Sequence, residues 1–124
     1  MIDFKNASFM KLRRNDNPKF LEAVSRLLVD NEKIDCCFQG VRDGVVFTNL
    51  RMIAVNVQGV TGKKVDYSSL PYNKLQAFSV ETAGAFDLDS ELELWFSGLG
   101  LVKLEFTSGT DIYEIGRLIG KQMF

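Results

Sequence analysis

The residues that most often carry out catalysis are scarce in this chain of 124 residues. It contains no histidine and only two cysteines, Cys36 and Cys37. Histidine is the commonest general base and the usual partner of a nucleophilic serine or cysteine, so its absence removes the simplest form of most hydrolase mechanisms. We therefore predict that the chain is not an enzyme, with no catalytic residue and no cofactor.

The two cysteines are adjacent in the sequence, and adjacent side chains in a strand point to opposite faces of the sheet. This geometry disfavours a disulfide between them, and the spacing fits neither a C-x-x-C redox motif nor a structural zinc site. We expect two free thiols in the core. Free thiols, a mixed charged and apolar segment over positions 1–14, and the lack of an apolar stretch of roughly 20 residues together indicate a cytoplasmic protein.

The segment from Gly59 to Lys64 combines glycines with two lysines and invites comparison with a phosphate-binding loop. A P-loop has four residues between its glycines and a hydroxyl residue after its lysine. Here two residues separate Gly59 from Gly62, and a second lysine follows Lys63. We interpret the segment as a loop between strands, whose lysines could still meet an anionic group.

Acidic side chains are concentrated in the last third of the chain, at Glu81, Asp87, Asp89, Glu91 and Glu93. The residues from Asp87 onward have the opening spacing of a calcium loop, but Leu92 stands where an EF-hand needs glycine, so we predict no metal site. Two interpretations remain, a solvated loop and strand face or an acidic recognition edge. The net charge of −1 argues against a general nucleic-acid binder.

The spacing of apolar residues predicts one helix near the N-terminus, followed by short strands. Asn17 and Pro18 are typical of a helix start, and the helical pattern continues to about Asp30. From Ile34 the apolar period changes to two, which predicts a strand. Turn signals at 42–44 and 48–51 then indicate successive hairpins, and Pro71 suggests an edge strand.

The clearest alternation in the chain lies between positions 91 and 106. Leu92, Leu94 and Phe96 are expected to face the core, and a partner strand from Val102 to Phe106 repeats the pattern across a turn. The register between these strands stays open, so Glu93 could lie opposite Lys103 or Glu105. Trp95 would lie outside, either at an interface between subunits or beneath the N-terminal helix.

The C-terminal segment predicts an amphipathic helix. Asp111 and Glu114 have capping-box spacing, and the isoleucines that follow share one face. Gly116 and Gly120 lie on or beside this face, where each costs about 1 kcal/mol relative to alanine. We infer that the backbone approaches a neighbour closely, and we favour the barrel over a second chain.

Together these elements predict a mainly β fold with terminal helices. We expect a strongly bent antiparallel barrel of about seven strands, capped by a C-terminal α-helix and preceded by a short N-terminal helix. The length and composition fit one domain spanning residues 1–124.

Five short motifs spread along the chain carry a family resemblance. They are R-D at Arg42 and Asp43, F-T-N-x-R from Phe47, Q-G-x-T-G-K-K from Gln58, L-P-Y from Leu70 and F-S-V-E-T-A-G-x-F-D-x-D-S-E-L from Phe78. Through these motifs the chain resembles the bacterial pleckstrin homology (PH) family over nearly its whole length. The resemblance implies a PH-like barrel, cyclic homo-oligomers of five subunits and a role in protein recognition. It does not imply phosphoinositide binding, because segment 39–44 offers Arg42 as its only cation.

Two functional hypotheses follow. The first is a non-enzymatic scaffold that forms a cyclic homo-oligomer and binds a protein partner of unknown identity. Its candidate subunit interface comprises Trp95, Glu93 and Lys103. Its candidate partner surface comprises Arg42, Asp43, Lys63, Lys64, Glu81, Thr82, Asp87 and Asp89. The alternative is a module for anionic ligands or membrane surfaces that uses Arg42, Arg51, Lys63 and Lys64.

Overall fold

A computed structural model of the chain describes residues 1–3 and 7–124. Within these residues the chain forms eight strands, two α-helices and one 3-10 turn at Tyr72–Lys74. In chain order the elements are β1 (Ala7–Arg14), α1 (Leu21–Ser25), β2 (Ile34–Gln39), β3 (Asp43–Thr48), β4 (Arg51–Gln58), β5 (Lys64–Pro71), β6 (Leu75–Glu81), β7 (Ser90–Phe96), β8 (Gly100–Phe106) and α2 (Ile112–Met123). The strands form one sheet in the order β5-β4-β3-β2-β1-β8-β7-β6. This sheet curls into a half-barrel around the main core, and β5 lies at its edge, as Pro71 predicts.

Strand β1 is the element that the sequence pattern does not reveal. It runs parallel to β8, with Ala7 beside Val102, and antiparallel to β2 only at its end, where Arg13 pairs with Gln39. The register with β8 shifts between Phe9 and Leu12, and Lys11, within this shift, has a φ of 55°. A bulge of this kind interrupts the alternation of side chains, so the segment has no clear period of two. The sheet therefore has one more strand than expected and includes one parallel pair.

The N-terminal helix is shorter than predicted, and the predicted start at Asn17 and Pro18 is wrong. Instead, the Pro18 carbonyl accepts a hydrogen bond from the Leu21 N–H at 3.1 Å, which closes a turn before the helix. The apolar side chains of this segment nevertheless pack on the sheet, as predicted. They pack on the outer face of β2–β5 against Cys37, Val46, Ile53 and Val55.

The predicted alternation in β7 and β8 is confirmed. The six side chains expected to face the core are all buried there. The two halves of the sheet meet through aromatic rings, since Phe38 of β2 packs edge to face with Phe106 of β8 at a centroid distance of 4.9 Å. Such ring pairs add about 0.5–1.5 kcal/mol beyond the area that they bury.

Both cysteines are free and buried, on opposite faces of β2. Cys36 lies in the main core, and Cys37 lies in the cluster beneath α1. Burial raises the pKa of Cys36 to about 12 and that of Cys37 to about 11. Neither thiol is therefore a thiolate at neutral pH, and both act as core residues.

Helix α2 closes the open side of the half-barrel. Its N-cap is Asp111, whose carboxylate accepts hydrogen bonds from the backbone N–H groups of Tyr113 and Glu114. A Cβ atom on Gly116 would lie 3.2 Å from Val80, so this glycine lets the helix approach β6. The expected close approach is thus to the barrel.

Gly44 has a different role from the one expected. The sequence suggests that Gly44 forms part of a turn, but it lies within β3, where it pairs with Gln39. A Cβ atom there would lie 2.5 Å from the ring of Phe20 and 2.8 Å from the carbonyl oxygen of Phe38. Its lack of a side chain makes room for Phe20, which holds the N-terminal segment against the sheet.

We expect Gly44→Ala to lower the free energy of unfolding by about 1–3 kcal/mol, because the added methyl group overpacks this contact. Gly84→Ala is the matched control, since its Cβ would meet nothing nearer than 3.7 Å. Urea denaturation measures both. Equal stabilities of the two variants would contradict the proposed close packing.

A buried ion pair joins the β3–β4 turn to the segment after α1. The side chain of Glu32 has no exposed surface, and Arg51 donates to both of its carboxylate oxygens, at 2.8 and 2.9 Å. The Thr48 hydroxyl and the Val29 N–H donate to the same carboxylate. Burial alone would raise the pKa of Glu32, but these hydrogen bonds outweigh it and lower the pKa to about 2.

We expect Glu32→Gln to lower the free energy of unfolding at neutral pH by about 3 kcal/mol. Because the folded pKa is depressed, the stabilisation by Glu32 is present above its unfolded pKa of roughly 4.3 and is lost as the pH falls towards 2. The variant should therefore lose less stability than the native chain in this acidic range, as measured by urea denaturation at each pH. Glu22→Gln, at an exposed helical position, is the control, and an equally large loss there would argue against the ion pair.

Candidate functional site

Two loops with basic residues lie side by side at one end of β2–β5. Arg42, in the loop between β2 and β3, donates a hydrogen bond to the Gly59 carbonyl in the loop between β4 and β5. Lys63 lies in that second loop, and Lys64 begins β5. We call residues 40–42 and 59–64 the basic loop pair. The structure thus brings Arg42, Lys63 and Lys64 into one region.

Apolar side chains occupy the tips of the same two loops. Val41 and Val60 are almost fully exposed, and each lies within a few positions of a cation. Asp43 lies beside Arg42 and is less exposed, and its burial raises the pKa of its carboxyl group. The basic loop pair therefore presents two apolar tips and three cations, with the half-buried acid Asp43 beside it at the start of β3.

Arg51 does not join this group. It begins β4 and so lies at the opposite end of the strand from the basic loop pair. Its guanidinium donates to Glu32, to the Ser69 hydroxyl and to the Leu27 carbonyl. This arginine is committed to internal contacts, so we do not include it in an anion site.

The acidic stretch spans the end of β6, a loop at 82–89 and the start of β7. Asp89 is bound to Lys11 of β1 at 2.5 Å, and Glu105 lies 3.8 Å from the same ammonium group. The hydrogen bond to Asp89 raises the pKa of Lys11 and lowers that of Asp89. Lys11 and Asp89 are 78 positions apart, so their pairing could not be read from the sequence.

The register of β7 and β8 is now resolved. Glu93 lies directly opposite Lys103, and Glu91 lies opposite Glu105. Lys103 also approaches Glu91, at 3.3 Å. The acidic edge is therefore partly neutralised along the strands, whereas Glu81, Thr82 and Asp87 remain exposed around the loop.

The tip of the 82–89 loop presents Phe86 to solvent. The Gly84 N–H donates to the Asp87 carbonyl at 2.6 Å, and the Asp89 N–H donates to the Asp87 carboxylate at 3.1 Å. These bonds close a turn around Phe86, which is fully exposed, and Leu88 is more than half exposed. The sequence pattern of this loop draws attention to its acids and gives no signal for these exposed apolar side chains.

Trp95 lies on the outer face of β7, and 47% of its surface is exposed. It stands opposite Leu101 of β8 and Ala77 of β6, and the Glu93–Lys103 pair is next along the same face. The interpretation that the N-terminal helix covers Trp95 is wrong, because α1 packs on the other half of the sheet. We call Ala77, Trp95 and Leu101 the tryptophan patch.

The described residues hold no helix whose length and apolar character would suit a bilayer crossing.

The comparisons with known proteins place these features in one family. The family described as "Bacterial PH domain" matches residues 3–123. The uncharacterized protein YjqA of Bacillus subtilis is 46% identical over 100 residues, which cover 79% of this chain and 80% of that protein.

Two crystal structures from Shewanella have the same fold. A protein with a pleckstrin-homology domain from Shewanella loihica is 38% identical, with a TM-score of 0.79 over 92% of this chain and 98% of the other. A pleckstrin homology domain from Shewanella amazonensis is 44% identical, with a TM-score of 0.65 over 86% of each chain. The family match, the sequence identities and the shared half-barrel agree, and the chain therefore belongs to the bacterial PH domain family.

Proposed function

We propose that this chain is a non-enzymatic interaction scaffold that assembles into a cyclic homo-oligomer through the tryptophan patch. The observation that carries this proposal is the exposure of Trp95 beside Leu101, on a sheet face that no other described element covers. Tryptophan is enriched among the residues that dominate binding energy at protein interfaces. A neighbouring subunit is the occupant that we assign to this face.

A difference between the outer faces of the two halves of the sheet supports this assignment. The outer face of β2–β5 carries Val46, Ile53 and Val55, and the chain covers them with its own N-terminal segment. The outer face of β6–β8 also carries apolar residues but has no such cover among the described residues. The Glu93–Lys103 pair beside the patch has the character of a polar rim around an apolar centre.

The ring form of the assembly follows from the family resemblance and from symmetry. Family members with a single domain form five-fold rings, and a ring requires each subunit to use two different surfaces. In such an assembly the loops remain free at the surface to bind a protein partner in the cytoplasm. Their candidate contacts are Arg42, Asp43, Lys63, Lys64, Glu81, Thr82, Asp87 and Asp89.

We expect Trp95→Ser to weaken the assembly by at least about 2 kcal/mol per contact, or roughly 30-fold in the dissociation constant. Size-exclusion chromatography with light scattering at micromolar concentration measures the mass. Leu99→Ser, at another exposed apolar position in the β7–β8 turn, should leave the mass unchanged. A monomeric native chain would refute the assembly, and a Trp95→Ser variant of native mass would refute the role of the patch.

A second candidate function is docking to an anionic membrane surface through the basic loop pair. The supporting observation is that Val41 and Val60 are exposed next to Arg42, Lys63 and Lys64. Apolar tips can enter the interfacial region, and each cation near an anionic surface contributes about 1 kcal/mol. Arg51 is left out of this candidate because its guanidinium is bonded internally.

We expect the native chain to sediment with vesicles that contain phosphatidylserine at low ionic strength, and Lys63→Glu with Lys64→Glu to abolish this binding. The matched control changes Lys33 and Lys74 to glutamate, since both are exposed and lie away from the basic loop pair. Raising the salt concentration should release the native chain, because screening shortens the range of the attraction. Lack of native binding at low salt would rule out this candidate.

A further inference from the structure

We infer that the 82–89 loop of one copy inserts Phe86 into a groove between β2 and α2 of a second copy. This inference rests on the proposed assembly and names a pair of complementary surfaces for it. It assigns Asp87 and Asp89 to the contact between copies, so that the basic loop pair is the surface left for a protein partner. The loop belongs to the same half of the sheet as the tryptophan patch, because it leads directly into β7.

The loop holds its apolar tip in a defined position. The turn between Gly84 and Asp87 fixes the backbone on either side of Phe86, and the bond between Asp89 and Lys11 anchors the end of the loop to β1. Because the tip is already ordered, binding through it loses little conformational entropy. Full exposure of Phe86 in the single chain also means that it does not occupy the chain's own groove.

The groove exists because β1 leaves β2 early. The last contacts between them are the pairing of Arg14 with Phe38 and a hydrogen bond from the Asn15 N–H to the Cys37 carbonyl. Beyond this point α2, and not a strand, lies beside β2. Two cavities of about 360 and 300 Å³ adjoin there, and both are lined by Cys36, Glu114 and Leu118.

The lining of the groove suits an apolar side chain in an acidic segment. Its floor is formed by Cys36, Phe38 and Ile115, which are buried in the single chain, and the partly exposed Leu118 is the apolar side chain on its wall. The cations on its rim are Arg13, Arg14, Arg117 and Lys121, and its acids are Asp35, Asp111 and Glu114.

On this rim, more of the acidic side chains than of the basic side chains are already bonded within the chain. The Asp111 carboxylate caps α2, and Glu114 pairs with Arg14 at 3.3 Å. Within residues 1–3 and 7–124, the structure gives Arg13, Arg117 and Lys121 no ion pair, so the rim has an excess of positive charge. The 82–89 loop carries no cation, and Asp89 pairs with Lys11, so within the described residues Asp87 is its acid without an ion pair. The loop and the groove are therefore complementary in charge and in apolar character.

The loop and the groove are different surfaces of the same chain. When two copies form one contact, one copy still has an unused groove and the other still has an unused loop, and each can bind a further copy. A head-to-tail contact of this kind forms a ring when the rotation between neighbours closes and an open filament when it does not, and a ring is the form that we assign here. An isolated dimer would leave one Phe86 and one groove unused.

The test uses two variants, one that alters the loop and one that alters the groove. Phe86→Ser removes the inserted side chain, and Arg117→Glu with Lys121→Glu reverses two exposed charges on the groove rim. We expect each to raise the dissociation constant of the assembly by about tenfold or more. Val60→Ser is the control, because Val60 is as exposed as Phe86 but lies on a different loop, and it should keep the native mass.

Mixing the two variants provides the decisive measurement. At a concentration where each alone is monomeric by light scattering, an equimolar mixture should form a dimer and nothing larger, because one intact loop meets one intact groove. Thermal melting of each variant establishes that it is folded.

Three results would overturn the inference while leaving the proposed assembly in place. They are a Phe86→Ser variant with the native mass, a mixture that stays monomeric, and a Val60→Ser control that dissociates as readily as Phe86→Ser. A monomeric native chain would overturn both the inference and the assembly.

Discussion

The pairing of β1 with both β8 and β2 is the interaction on which the rest of the structure depends. No other described strand forms hydrogen bonds to both halves of the sheet. The parallel pairing with β8 places Phe9 and Leu12 in the main core, and the short pairing with β2 brings the two halves close enough for Phe38 to meet Phe106. The shift in the β8 register between Phe9 and Leu12 comes just before the two residues that pair with β2, and a bulge of this kind bends a strand and increases its local twist.

The same strand determines what lies on the surface. Its bulge places Lys11 against Asp89 and so anchors the 82–89 loop, and its early departure from β2 leaves room for the groove beside α2. The chain then continues into α1, which covers the outer face of β2–β5, whereas no described element covers the outer face of β6–β8. The position of one strand thus accounts for both the exposed tryptophan patch and the groove.

The sequence predicts the parts of the fold that depend on local periodicity. The alternation in β7 and β8, the edge strand before Pro71 and the Asp111 cap of α2 could all be read because the determining residues are neighbours in the chain. Strand β1 could not be predicted in this way, because its bulge interrupts the alternation of apolar and polar residues. The turn before Leu21 shifts the start of α1 but leaves the same apolar side chains facing the sheet. From the sequence alone Gly44 looks like a turn residue. The contact that requires a glycine there is with the ring of Phe20, 24 positions earlier, which no local pattern reveals.

In the candidate site, too, local features could be predicted from the sequence and long-range contacts could not. Sequence analysis could locate cations and acids but could not tell which of them are used internally, because that depends on partners distant in the chain. Arg51 is bonded to a carboxylate with no exposed surface, and removing one partner of such a pair leaves a buried charge without compensation. In the basic loop pair, Arg42 donates to the Gly59 carbonyl, and the structure gives Lys63 and Lys64 no ion pair with another described residue. Pairing with buried groups, more than residue type, therefore distinguishes the charges that stabilise this half-barrel from those that stay exposed at its surface.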